Sequence, residues 1–155
     1  MKRVVLGQDD RIGHFVMHHA GGTYVSGRGI GIGLEENGKL MAGVLYEDYN
    51  GASVVGHVAA VPGRTWLNRE FLWFCFAYPF LQLRVKKIVG LVGEKNEAAR
   101  QFDEALGFVL ETALKDAHPD GSLLVYSMTR EQCRWLNIKL RKIPSHGQSE
   151  CTAAG

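Results

Sequence analysis

Asn96-Glu97-Ala98-Ala99-Arg100-Gln101-Phe102-Asp103-Glu104-Ala105-Leu106-Gly107-Phe108 decides the fold. Asn96 sits where a helix N-cap belongs, and Glu97 supplies negative charge to the first turn. Ala99, Phe102 and Leu106 form an apolar stripe at helical spacing, and Gly107 fits a C-terminal stop. Just upstream, Ile88-Val89-Gly90-Leu91-Val92 is a continuous apolar run after the basic pair Lys86-Lys87. It reads as a central strand covered on both faces. Phe108 opens the next strand.

Working outward, residues 2–7 read as a first strand. Asp9-Asp10 are placed to cap a helix over residues 10–20, which the pair Gly21-Gly22 ends. Residues 29–35 and 39–48 form a hairpin around Asn37-Gly38. Ala52 to Val61 is a fourth strand of small and β-branched residues, stopped by Pro62-Gly63. From Trp66 to about Gln82 the chain is nearly all apolar, the pattern of a helix buried on more than one face. Pro79 kinks that helix or shortens its last turn. Residues 108–115 and 122–130 pair around Asp120-Gly121, and Glu131 to about Lys142 reads as a basic helix. The order is β-α-β-β-β-α-β-α-β-β, an α+β chain with a mostly antiparallel sheet. One parallel crossover links the fourth and fifth strands through the long helix.

Composition bounds the function. The chain has 155 residues, 46% of them hydrophobic and 22% charged, with a net charge of +2. That suits a single domain with its own core, over residues 1–142, followed by a flexible tail over 143–155. A whole-surface nucleic-acid binder usually has a pI above about 9, so nucleic acid is an unlikely partner. No run of about 18 apolar residues exists, so no membrane span is expected. The basic start is followed by too short an apolar stretch for a signal peptide. Cys75, Cys133 and Cys151 are widely spaced and match no zinc pattern, so reduced thiols in a cytoplasm are expected.

The strand, the capped helix and the Leu-Gly-Phe step resemble the C-terminal half of the GNAT family of N-acetyltransferases. The residues that carry the likeness are Asn96, Ala99, Phe102, Gly107 and Phe108. His57-Val58-Ala59 and Trp66-Leu67-Asn68-Arg69 further resemble small, phage-type members. The resemblance covers residues 1 to about 136. It implies a GNAT-like acyl-CoA N-acyltransferase fold whose fourth and fifth strands splay apart to admit the pantetheine arm of acetyl-CoA. It also implies transfer of the acetyl group to a primary amine, on a small molecule or a protein, by direct attack.

Such a transfer makes three demands. Pyrophosphate wants backbone N–H groups and positive charge at a helix start. A thioester carbonyl becoming an oxyanion wants a placed N–H. The amine must lose a proton, and the leaving thiolate either takes one or departs unprotonated. For the pyrophosphate, the resemblance points to the loop carrying Arg64, Trp66, Asn68 and Arg69. The family pattern there is Gln/Arg-x-x-Gly-x-Gly/Ala; Arg64 fits its first position, but Leu67 and Arg69 replace small residues. Arg69 offers charge instead of close backbone approach. For the carbonyl, the resemblance points to a backbone N–H within Val58, Ala59, Ala60 and Val61, whose small side chains equally suit tight sheet packing.

For the amine proton, His57 is the candidate base, mid-strand and titrating near neutrality; the competing reading is a hydrogen-bonded core histidine. The family's usual acid is a tyrosine seven residues after the asparagine, and that position is Asp103 here. Tyr126 and Ser127 on the last strand are the substitute hydroxyls. Asn96 is implied to bond the pantetheine arm and Arg100 the ribose phosphate, against plain roles as an N-cap and an exposed helix charge. His57, Tyr46 or Tyr49, and the Ala113–Gly121 loop are expected around the amine. The rival to an enzyme is a binding protein of the same fold that has lost catalysis but keeps coenzyme A.

Three patterns are set aside. Gly29-Ile30-Gly31-Ile32-Gly33 fails the Gly-x-Gly-x-x-Gly spacing and precedes no helix; the bare face it leaves suits close packing or a substrate lying across it. His14 and His18 share a helix face but lack the glutamate of a zinc-binding pair. Arg134, Lys139, Arg141 and Lys142 around Trp135 read as a solvated basic surface. The aromatic-rich helix from Trp66 to Phe80 has more apolar surface than one sheet face needs, which points to a homodimer contact.

Overall fold

Seven strands make one sheet in the computed structural model, which describes residues 1–63 and 68–138. They are β1 (Lys2–Val5), β2 (Gly29–Glu36), β3 (Lys39–Glu47), β4 (Ser53–Ala60), β5 (Lys87–Gly93), β6 (Val109–His118) and β7 (Gly121–Thr129). Their spatial order is β1-β2-β3-β4-β5-β7-β6, and every neighbour pair is antiparallel except β4 with β5. The helices are α1 (Asp9–Ala20), α2 (Arg69–Ala77) and α3 (Glu97–Leu106). The tail over 143–155, Cys151 and the basic residues from Lys139 onward lie outside the described residues.

α1 covers one face of β2, β3 and β4, where Ile12 and Val16 are buried with Val5, Tyr24 and Leu45. The alternating glycines of β2 explain how closely it lies. A β-carbon on Gly31 would stand 2.7 Å from Cβ of Ile12, and one on Gly33 would stand 3.2 Å from its Cδ1. The bare strand face therefore serves packing, not a substrate. α2 and α3 share the opposite face. Phe71, Leu72, Cys75, Phe76 and Phe80 pack there against Val44, Tyr46, Val54, Ile88, Leu106 and Met128.

Several expectations hold. Asn37 and Gly38 both take positive φ (52° and 79°) in the turn between β2 and β3, as a tight hairpin requires. The side chain of Asn96 accepts from Ala99 N, and Gly107 ends α3 in the left-handed region. Others are corrected. Asp9 and Asp10 do not cap α1, whose N-cap is Gln8 with no side-chain bond. Asp9 instead accepts from Gly31 N at 2.9 Å, and Asp10 from Tyr24 Oη and Ser26 Oγ at 2.7 Å each. β5 is not covered on both faces: Leu91 is 46% exposed, because α1 stops short of it.

The long apolar helix begins at Arg69, capped by Asn68, and widens into a π-helical turn over Tyr78–Gln82. Pro79 has no N–H to continue the α pattern, so Leu83 N reaches back five residues to Tyr78 O. Its aromatic residues are used within the chain: Phe71, Phe76 and Phe80 are buried, and Trp73, Phe74 and Tyr78 half-buried. Leu81 at its end is 41% exposed. The basic helix from Glu131 does not form over its described part, which holds only a 3-10 turn, Trp135–Asn137. Arg134 and Trp135 are pulled back onto the end of α3, donating to Ala105 O and Leu106 O. The Trp135 ring stacks on Phe76. Those bonds satisfy helix-terminal carbonyls that a new helix would leave open.

Candidate active site

β4 and β5 pair over three positions, Ser53↔Lys87, Val54↔Ile88 and Val55↔Val89, and then part. Each keeps its outer partner beyond that point: β4 stays on β3 to Ala60↔Ala42, and β5 stays on β7 to Gly93↔Leu123. The first residues past the fork are both glycines, Gly56 and Gly90. Backbone N–H and C=O groups along the inner edges of the fork have no strand opposite them, and such groups require partners.

The fork opens into a cleft of about 570 Å³. Gly56, His57, Val58, Ala59 and Ala60 form one wall, and Gly90, Leu91, Val92 and Gly93 the other. Phe71, Leu72, Cys75 and Phe76 of α2 close one end of the helical side. Asn96, Ala99, Phe102, Asp103 and Leu106 of α3 close the other. The lining is mostly apolar with a few convergent polar groups, the usual character of a small-molecule site.

His57 pairs with Leu45, which packs under α1, so its side chain enters the cleft from the α1 face. Burial holds its imidazole below the ordinary pKa, partly opposed by Glu47 and Asp48. It is thus neutral at pH 7, with a ring nitrogen able to take a proton. Asp103 reaches the cleft from the opposite, α3 face. A β-carbon on Gly90 would stand 3.5 Å from its Oδ2. Burial, with the like charge of Glu104 behind it, raises its carboxyl to about 6. Tyr46 also lines the cleft, but its hydroxyl is spent on Cys75 O at 2.5 Å.

Of the residues singled out in the sequence, the structure brings His57, Val58, Ala59, Ala60, Asn96 and Phe102 to this cleft. Val61 does not line it: its N–H donates to Met41 O at 2.7 Å, continuing the sheet. Asn68 is occupied as a cap, its side chain accepting from Phe71 N at 3.1 Å, and Arg69 is exposed at the start of α2. Arg64 and Trp66 lie outside the described residues. Arg100 is half-buried, with Nη1 donating to Glu94 O at 3.3 Å, rather than an exposed charge.

Tyr126 does not line the cleft. It is fully buried beside α3, and its hydroxyl donates to Glu104 Oε1 at 2.8 Å. Ser127 is buried too. Tyr49 is 53% exposed and outside the cleft. The Ala113–Gly121 segment is mostly strand rather than loop, and only His118 from it reaches the lining. Sequence reasoning missed Leu91 and Cys75 as lining residues; only the strand register past the fork and the packing of α2 would have placed them.

Solved structures provide the comparison. The spermidine/spermine N-acetyltransferase SpeG from Vibrio cholerae, in mutant form, superposes with a TM-score of 0.69 at 15% identity, covering 88% of this chain and 98% of that one. The chain has the fold of GNAT acetyltransferases. The same Vibrio cholerae enzyme in complex with CoA and spermine gives a TM-score of 0.64 at 17% identity, over 88% of this chain and 98% of that one. A protein provisionally named an acetyltransferase gives 0.58 at 22% identity, over 70% of this chain and 60% of that one. No protein-family model and no curated protein sequence matches the chain.

Proposed function

We propose that this chain is an acetyl-CoA-dependent N-acetyltransferase that delivers an acetyl group to a primary amine by direct attack. The observation that carries this reading is the fork between β4 and β5, with a histidine on its wall. A slot between parted strands, lined by Val58, Ala59, Ala60, Val92, Phe102 and Leu106, fits an extended, mostly apolar arm. The unpaired backbone edges suit its amide groups, as a strand would. SpeG, with the same fold, is described in complex with CoA and spermine.

Within this reading, His57 accepts the amine proton, directly or through water. A backbone N–H in the Val58–Ala60 segment polarises the carbonyl. Asn96 and Phe102 hold the arm, while Arg69 and the Arg64–Trp66 loop meet the phosphates at the start of α2. Asn68 already fills one of that helix's N–H groups, which shifts phosphate binding towards side-chain charge. The likeness of His57-Val58-Ala59 to phage-type members stays part of this proposal, as does a single catalytic domain over 1–142.

A binding protein without catalysis is the second reading, favoured by the occupied cap at Asn68 and the loss of the expected tyrosine at position 103. Melting the protein with and without acetyl-CoA tests ligand binding. Ligand at about 100 times its Kd adds about 2.7 kcal/mol, a shift of several degrees. No shift would remove both acetyl-CoA readings, and a shift without turnover on any amine would favour the second.

A further inference from the structure

The acyl-transfer reading gives no task to Asp103, an ionisable side chain in the cleft. Asp103 points its carboxyl at the fork, over Gly90, the first residue of β5 past the last strand pair. Burial and the like charge of Glu104 raise its pKa, and among the described residues no hydrogen bond reaches that carboxyl. A half-buried carboxyl against Phe102, Leu106 and Gly90 is a poor packing choice, since burial without a partner costs stability. Buried acids displaced in this way cluster where chemistry is done.

Its position relative to His57 is specific. Extending the register Val55↔Val89 puts Gly56 at the level of Gly90, and His57 at the level of Leu91. Asp103 and His57 therefore stand within the first two positions of the fork. They enter it from opposite faces of the sheet, one from α3 and one from the side of α1. A thioester seated at the apex would have a carboxyl on one side and an imidazole on the other. Amide formation needs one proton removed from the amine and one delivered to sulfur.

We infer that Asp103 is the catalytic acid of this site, giving its proton to the departing sulfur while His57 takes one from the attacking amine. This rests on the acyl-transfer reading. In the step, the amine nitrogen forms a bond to the carbonyl carbon and loses a proton to His57. The C–S bond breaks with its electron pair on sulfur, and sulfur takes the Asp103 proton. Amide and thiol leave, and solvent returns a proton to Asp103 and removes one from His57. Titratable groups sharing the cleft are His57 on β4, Tyr46 on β3, Cys75 on α2, His19 on α1 and His118 on the β6–β7 hairpin. Glu104 and Arg100 flank Asp103 on its own helix, with Tyr126 behind them.

Two measurements on the full chain and on Asp103→Asn test this. CoA binding is followed by calorimetry near pH 6.5 in buffers of different ionisation enthalpy, which counts protons taken up. Bound acetyl-CoA is then aminolysed with hydroxylamine, a nucleophile small enough to need no shaped amine pocket, and thiol release is followed from pH 5 to 9. The wild type takes up a fraction of a proton as the arm displaces water from the carboxyl, and the variant takes up none. Thiol release slows about 10²-fold in the variant and loses the decline at high pH that deprotonation of the acid imposes. Equal proton uptake and equal pH profiles would overturn the role of Asp103 and leave acyl transfer standing. Loss of acetyl-CoA binding in the variant alone would also overturn it, making Asp103 a binding residue. If the wild type binds no acetyl-CoA, the acyl-transfer reading itself falls.

Discussion

Val55 pairs with Val89, and no residue of β4 pairs with β5 beyond them. Beyond that pair each strand keeps only its outer partner, and Gly56 and Gly90 put no side chain over the start of the cleft. Gly90→Val tests whether this space is where ligand goes. A β-carbon there meets Asp103 Oδ2 at 3.5 Å and Tyr126 Cβ at 3.9 Å, ordinary contact distances. Valine also suits a strand. The variant should melt within a few degrees of wild type, yet lose the stabilisation by acetyl-CoA. A full ligand-induced shift in Gly90→Val would mean that the arm lies elsewhere.

His57→Ala should leave acetyl-CoA affinity nearly unchanged while turnover falls by about 10²–10⁴-fold. Burial depresses the imidazole's pKa. The active neutral form thus persists below the ordinary histidine range, so the acid limb of the wild-type profile should lie below that range, while ionisation of Asp103 sets the limb at higher pH. The same depression links to stability. Protonation is disfavoured in the folded state, so the contribution of His57 is present above its unfolded pKa and lost as pH falls through the folded value. A pH–rate profile of kcat on any accepted amine checks the first point; unchanged turnover in the alanine variant would remove His57 as the base.

Tyr126→Phe separates a structural hydroxyl from a catalytic one. The Tyr126 hydroxyl is buried and committed to Glu104, and the ring does not line the cleft. Removing the hydroxyl should cost about 1.5–3 kcal/mol of stability, the scale of one hydrogen bond to a charged group. Turnover should stay within a few-fold of wild type. A hundredfold loss of kcat with intact acetyl-CoA binding would return Tyr126 to the chemistry.

The fold was legible because its decisive signals are local. The cap at Asn96, the stop at Gly107 and the turn at Asn37-Gly38 each follow from backbone chemistry within a few residues, and each formed as read. Pro79 was seen as a disruption, though not as a π-helical turn, which depends on Leu83 and Val85 closing back on Tyr78 and Pro79. The site was legible only in part. His57, Asn96 and Phe102 line the cleft. Tyr126 lies outside the cleft; strand parity says which face a residue takes, not whether a helix already covers it. Asp103 was read as the loss of a tyrosine; that it stands in the cleft without a hydrogen-bond partner among the described residues is a property of the packing of α3 over Gly90. The helix expected from Glu131 failed because Trp135 gains more by stacking on Phe76 and bonding Leu106 O than by continuing a basic helix into solvent.

Asp103 leaves a signature in stability as well. Its carboxyl is raised from the usual 3.8 to about 6 in the folded chain, so ionisation is disfavoured by folding. Its contribution is complete below the unfolded pKa and is lost as pH rises through about 6. A displacement of that size, reduced for partial exposure, corresponds to about 2 kcal/mol. Asp103→Asn keeps the shape and removes the ionisation. The variant should therefore match wild type near pH 4 and become the more stable of the two by pH 7, a difference of several degrees in Tm. Parallel Tm curves between pH 4 and pH 7 would show that Asp103 ionises in the folded chain as freely as in water, and that the carboxyl is not held in an apolar cleft.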